Sequence, residues 1–213
     1  MSTKVEAMPQ LLPVLSGSDK FVQKWKTACE STLRNGMNSA RVTPLKIPGM
    51  SDQASGKVYH WEKKRNFEEG VYFATEDGKS IDFLYYYQGL QLQSPARKIV
   101  CEALAFRFNQ DAKYTRGLLP ILFFNFLLPA AKFVVTDSIY TKDGEERWFH
   151  PQYREALAHP GKYKVYAVDT LTRSTAEINL DQFWALQPRY WGSTEEFQRY
   201  RFAIAIADFH FGD

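Results

Sequence analysis

The residues that decide the fold are 97–148, RKIVCEALAFRFNQDAKYTRGLLPILFFNFLLPAAKFVVTDSIYTKDGEERW. Residues 99–108 form an apolar-rich run. Its IVCEALAF core contains good helix formers, but the hairpin that feeds it favours a strand. A short polar turn follows, with Lys113, Arg116 and Gly117. Residues 118–131 are apolar nearly all round, the pattern of a buried helix. Pro120 falls in its first turns, where a missing N–H costs little. Residues 133–136 are a compact second strand, which would lie parallel to 99–108 through a crossover. Strand, basic glycine-bearing turn, helix and strand is one way to aim backbone N–H groups at a phosphate.

Upstream, residues 1–17 carry Pro9, Pro13 and Gly17 and read as an extended arm. Ser18 is a plausible N-cap. Phe21, Val22, Trp25, Ala28, Cys29, Thr32 and Leu33 recur at helical spacing until Asn35-Gly36, predicting a helix over about 19–35. Residues 36–57 read as irregular connection with a short strand near 41–47. Strand character begins at Val58. Residues 71–75 and 81–92 flank an Asp77-Gly78 turn, a hairpin signal that makes an antiparallel meander with 99–108. Residues 81–87 are apolar or aromatic on both faces, so both sides should be covered.

Downstream, residues 141–157 read as a polar helical segment divided at Pro151. Residues 164–170 and 175–180 read as a strand pair. Residues 181–186, a Pro188 turn, a helix opened by Ser193 and Glu196, and an apolar tail at 202–211 complete the chain. The division expected is an arm at 1–17, one α/β (α+β) domain at 18–180, and a C-terminal extension at 181–213 packed on it.

Composition narrows the function. A chain of 213 residues that is 45% hydrophobic can bury one sizeable core, and 15% aromatic content makes much of that core ring packing. A net charge of +3 is too small to argue for nucleic acid. Lys57, Lys63, Lys64 and Arg65 flank Tyr59 and Trp61, but beside Glu62, Glu68 and Glu69 they read as a solvated edge rather than a stacking surface. The longest apolar run, 117–131, is shorter than a membrane span and is interrupted by Asn125 and Pro129. Cys29 and Cys101 sit in apolar surroundings and read as buried thiols. With no signal-peptide pattern at the start, they point to a cytoplasmic protein. His60, His150, His159 and His210 lack metal-ligand spacing. No nucleophile elbow, P-loop or dinucleotide fingerprint is present.

The order helix, antiparallel strands, helix, strand, helix, strand pair resembles the GNAT N-acetyltransferase fold over residues 70–170. It is closest in kind to phage or bacterial GNAT-like proteins with degenerate motifs. The expected architecture is a mixed, mostly antiparallel sheet with helices on both faces. The resemblance implies a cleft where 99–108 and 133–136 splay apart, holding the pantetheine arm of acetyl-CoA, with the pyrophosphate on the loop that opens the next helix. The family's loop pattern is Gln/Arg-x-x-Gly-x-Gly/Ala. Here Tyr114, Thr115, Arg116, Gly117, Leu118 and Leu119 occupy it, and only the central glycine matches. Lys113, Tyr114, Thr115, Arg116, Gly117 and Leu118 are the cofactor-binding candidates, with Lys113 and Arg116 supplying phosphate charge.

The family's second pattern is Asn-x-x-Ala-x-x-x-Tyr, whose tyrosine protonates the departing thiolate. Thr141, Gly144 and Trp148 stand at that spacing. An indole is no general acid near neutral pH, so Tyr140 or Tyr153 would have to supply the phenol. Glu102 stands where some members carry a general base, and Glu102 and Tyr140 are the catalytic candidates. The function implied is an acyl-CoA-dependent N-acyltransferase acting on a small amine or a protein lysine. The alternative is a catalytically inactive protein of that fold working through a macromolecular, most simply protein, partner.

Overall fold

The doubly apolar strand at 81–87 is central. In the computed structural model of the protein, each of its faces meets a different set of helices. The structure describes residues 12–37, 41–46, 56–92, 97–136, 145–191 and 199–210. The strands are β1 (Val42–Pro44), β2 (Val58–Lys64), β3 (Glu69–Ala74), β4 (Phe83–Leu92), β5 (Arg97–Arg107), β6 (Phe133–Val135), β7 (Tyr163–Asp169), β8 (Ser174–Ile178) and β9 (Tyr200–Ile206). Among the described residues they form one nine-stranded sheet in the order β1-β2-β3-β4-β5-β6-β9-β7-β8. All neighbouring pairs are antiparallel except β5 and β6. The class is α+β, as the order of predicted elements implies.

Helix α1 (Leu12–Arg34) covers one face. Its Trp25 and Cys29 pack on Val71, Phe73, Leu84 and Tyr86. The other face holds Tyr72, Tyr85, Tyr87, Val100 and Val134 beneath three further helices. Helix α2 spans 118–131: α-helical at Leu118–Leu122, π-helical at Phe123–Leu127, α-helical again at Leu128–Ala131. The wide turns precede Pro129, which cannot donate to the carbonyl four residues back. Helix α3 spans 145–158, with π-type turns at Glu145–Phe149 before α-helical His150–Ala158, and Pro151 opens the regular part. Helix α4 is Leu180–Trp191. Each fully buried ring on this face, such as Phe123, Phe149 or Phe183, removes enough apolar surface to contribute about 1.5–3 kcal/mol.

Several expectations are met. α1 ends at Arg34 and Gly36 takes the left-handed conformation, with φ of 77°. The 99–108 segment is a strand, and 118–131 is the buried helix. Cys29 and Cys101 are free, buried thiols.

Two boundaries differ. Helix α1 starts at Leu12, not near 19, so the expected arm at 1–17 is helical from residue 12 onward. Pro13 falls in the first turn, where its missing N–H leaves no helical bond unmade. Residues 1–11 lie outside the described residues, as do Ser193 and Glu196.

The larger correction concerns 181–213, which is no extension. β9 enters the sheet between β6 and β7, with Val134 opposite Ile204 and Val165 opposite Ile204 on its other side. It alternates Phe202, Ala203, Ile204 and Ala205, all buried, because both faces of a central strand are covered. Helix α4 runs through Pro188 instead of turning there. Arg199 fixes the start of β9 by a two-toothed ion pair with Asp169 at the end of β7, at 2.6–3.0 Å. Thr170 donates its N–H and hydroxyl to the Arg199 carbonyl, each at 2.8 Å. A chain stopped after Trp191 leaves β6 and β7 without a common neighbour. It should show no cooperative thermal transition by circular dichroism, and a sharp transition near that of the full chain would show β9 to be dispensable.

Candidate functional site: the end of the parallel ladder

The parallel pairing of β5 with β6 comprises Val100 opposite Val134 and Cys101 opposite Val135. β5 then runs on to Arg107 beside β4, while Thr136 stays with β9 by donating its N–H to the Phe202 carbonyl at 2.9 Å. Among the described residues no strand pairs with the β6-facing edge of β5 past Cys101. A bulge sits at the same place. Tyr87 opposes Glu102 and Tyr86 opposes Leu104, so Ala103 is the extra residue. Glu102 and Arg107 are an odd number of positions apart and would otherwise point to opposite faces. The bulge puts both on the side of Tyr85 and Phe83, under the helices.

Glu102 is the residue at the vertex, and only 3% of it is exposed. Its carboxylate accepts hydrogen bonds from the Tyr85 hydroxyl at 2.6 Å, Trp148 Nε1 at 3.2 Å and Gln152 Nε2 at 3.1 Å. Trp148 and Gln152 are one helical turn apart on α3, so their side chains reach the same point. The next residue, Tyr153, donates to Thr136 Oγ1 at 3.3 Å. Helix α3 thus straddles the end of the ladder, holding β5 through Glu102 and the β6 side through Thr136. Burial pushes the Tyr153 phenol well up, which suits a structural donor rather than a proton donor to substrate. Trp148 is buried edge-on against Phe123, with centroids 5.6 Å apart. Tyr140, Thr141 and Gly144 lie outside the described residues.

The loop after β5 is tied down by Asp82, the residue just before β4. Asp82 accepts from the Tyr114 hydroxyl at 2.6 Å, Asn109 Nδ2 at 2.9 Å and the Glu76 N–H at 3.0 Å. Burial, and then the bond to Asp82, push the Tyr114 phenol up. Arg107 Nε donates to Thr115 Oγ1 at 2.7 Å, and its Nη2 is buried with no hydrogen-bond partner. This bears on the side chains in the expected cofactor set. The side chains of Tyr114, Thr115 and Leu118 point into the protein and cannot meet a phosphate, because Asp82, Arg107 and the helix core hold them. Lys113, Arg116 and Gly117 are exposed. Gly117 caps α2 with φ of 70°, a conformation a side chain would strain.

A second buried polar pair lies further along the same face. His60 Nε2 and the Tyr87 hydroxyl are 2.6 Å apart, and the imidazole stacks on Tyr72 with centroids 4.5 Å apart. Tyr87 lies across Gly70. A Cβ there would collide with its phenol, whose Cζ would be 2.7 Å away. Burial pushes the His60 pKa down to about 4.

Sequence reasoning reaches Glu102, through the resemblance, and the open Lys113, Arg116 and Gly117. It misses Tyr85, Gln152, Asp82 and His60. The Trp148, Gln152, Tyr153 spacing on one helix is the signal that could have found the first partners. Among the described residues no group of histidine, cysteine and carboxylate side chains is arranged to hold a metal ion. No helix among them is long and apolar enough to cross a membrane. The chain matches no protein-family model and no curated protein sequence.

Replacing the Glu102 carboxylate by an amide takes the charge out of the bonds it accepts from Tyr85, Trp148 and Gln152, and bonds to a charged acceptor are the stronger ones. Glu102→Gln should therefore cost about 1–3 kcal/mol in urea unfolding. A loss below about 0.5 kcal/mol, the size of an ordinary surface change, would deny the carboxylate its structural role. His60 generates a pH dependence. Its folded pKa lies below its unfolded one, so the unfolded chain binds the extra proton between them. Stability is then full above about pH 6.5 and falls as pH drops toward 4, by about 3 kcal/mol at most. His60→Gln should flatten that fall when urea midpoints are compared across the same range.

Proposed function

We propose that the protein is an acyl-CoA-dependent N-acyltransferase of GNAT-like architecture. The observation that carries this reading is the short parallel ladder. β5 and β6, joined through the buried helix α2, pair at two positions, and past them β5 turns an edge of backbone N–H and C=O groups toward no described strand. An extended chain bearing amides, such as pantetheine, can add to such an edge as a further strand would. Lys113, Arg116 and the left-handed Gly117 support phosphate binding at the start of α2. Each charge there gains about 0.3–1 kcal/mol from the helix end. A bound acyl-CoA supplies a thioester, a carbonyl already activated toward amines. The chain's own part is to exclude water with the ring-lined face and to keep the Glu102 carboxylate fixed through Tyr85, Trp148 and Gln152. From that position Glu102 takes the proton of the incoming amine.

A second reading has an observation of its own. Where the family's pattern carries a tyrosine, Trp148 gives its indole N–H to Glu102, and an indole cannot protonate a thiolate near neutral pH. That favours a protein of this architecture that binds a macromolecular partner without turnover.

Acetyl-CoA should raise the melting temperature of the wild-type chain. At a hundredfold excess over Kd the gain is about 2.7 kcal/mol, several degrees for a chain of this size. Gly117→Glu should abolish the shift by straining the loop and repelling the phosphates. Absence of any shift at millimolar acetyl-CoA would remove the transferase reading. A shift without acetyl transfer to any of a panel of primary amines would select the second.

A further inference from the structure

The two edges of the sheet are built differently. β1 is three residues long and ends in Pro44, which has no N–H to offer a further strand. β8 carries neither proline nor lysine, and among the described residues it pairs with β7 alone. Its Ser174, Ala176 and Glu177 are exposed, so the strand is not roofed by the helices. The apolar surface points to the same edge. The large hydrophobic side chains exposed among the described residues are Phe106, Leu171 and Leu180, and the last two flank β8. Leu171, 71% exposed, sits in the turn that leads into the strand. Leu180, 48% exposed, follows it at the start of α4.

An open edge with apolar ends can take up another strand, and the order of charges along β8 selects which. Identical strands brought together across a two-fold axis run antiparallel, each residue meeting its counterpart on the other copy. With the axis at Ala176, Thr175 meets Glu177 and neither charge finds a partner. With the axis at Thr175, Ser174 meets Ala176, and Arg173 meets Glu177 twice over. Arg173 leaves the turn with a left-handed φ of 57°, so its long side chain rather than the pleat carries the guanidinium to that carboxylate. Thr175 then meets Thr175, a favourable cross-strand pair. Ile178 falls opposite Thr172, and Leu180 beyond it comes beside the turn that carries Leu171. Lys164, 3.9 Å from Glu177 within the chain, makes only a weak surface pair and leaves that side chain 57% exposed.

We propose that the protein forms a homodimer joined edge to edge through β8, antiparallel about a two-fold axis at Thr175, so that one sheet runs through both copies. The edge is short, so the dimer is weak and its population rises with concentration. The contact is independent of any reading of the β5–β6 cleft, because β9 and β7 lie between β6 and β8.

The test measures the mass of the full-length chain in solution by sedimentation over a series of concentrations. The wild type should pass from one chain to two as concentration rises. Glu177→Arg and Arg173→Glu each set like charges opposite one another. Each should hold the chain at single mass while its melting transition stays near that of the wild type. The double reversal restores opposite charges and should restore the dimer. Thr175→Cys, a second route that leaves the charges alone, sets two thiols face to face on the axis. Mild oxidation should link it into a dimer that a reductant separates, and should leave the wild type, whose Cys29 and Cys101 are buried, unlinked. A wild type that keeps single mass up to about 1 mM, where even a contact of about 4 kcal/mol would show, overturns the proposal. So does a dimer indifferent to both single reversals, a folded double reversal that stays monomeric, or a folded Thr175→Cys chain that does not cross-link.

Discussion

The arrangement depends on a carboxylate inside the protein. Glu102 lies on β5, where a bulge turns it under the helices, and it is met there by Tyr85 from β4 and by Trp148 and Gln152 from α3. Burying an ion without hydrogen bonds would cost far more than one helix can return. With donors from two separate elements, the same ion becomes what registers them against each other. Tyr153 extends the grip to Thr136, so neighbouring residues of one helix hold the two strands whose pairing ends there. Gln152, Tyr153 and Trp148 are therefore tied to the geometry of the sheet, and a shift of α3 would alter both sides of the ladder together.

The aromatic face gives this vertex its setting. Tyr85 and Tyr87 sit two positions apart on β4 and lean opposite ways, one to Glu102 on β5 and the other across Gly70 to His60 on β2. Each phenol finishes in a hydrogen bond, which is what lets so many rings be buried on one face without stranding their hydroxyls. Tyr72 is the exception, with its hydroxyl buried and unpaired. On the loop side the same logic holds Tyr114 to Asp82. Gly70 makes room for this arrangement by its absent side chain, which gives Tyr87 its path.

Local order was legible wherever the signal was periodic. The 99–108 strand, the all-round apolar helix after it and the Asp77-Gly78 hairpin follow from patterns a few residues long. Glu102 was reached only through the resemblance, as the position where some members of that family carry a general base. Its partners were not, because a hydrogen bond spanning 46 residues, as from Trp148 to Glu102, leaves no trace in either local pattern. The bulge at Ala103 was equally hidden, since nothing in CEALAF marks which residue is the extra one. In the candidate phosphate loop the sequence lists residue types but not directions. Tyr114 and Thr115 look as available as Lys113 until Asp82 and Arg107 are seen to hold them inward. β9 was misread as a tail because alternating Phe202, Ala203, Ile204 and Ala205 read as apolar on both faces, and its neighbours β6 and β7 are remote in sequence.

The position of β9 has a consequence for how the protein is made. Synthesis proceeds from the N-terminus, so β6 and β7 emerge well before the strand that separates them. Until residues 200–206 arrive, each presents an open hydrogen-bonding edge and buried-type side chains to its surroundings. β1 to β5 can assemble hairpin by hairpin, but the right half of the sheet has to wait. The nascent chain therefore passes through a stage in which its most sticky surfaces are complete and their cover is not. Slow, late closure and a need for shielding during translation are built into the strand order itself.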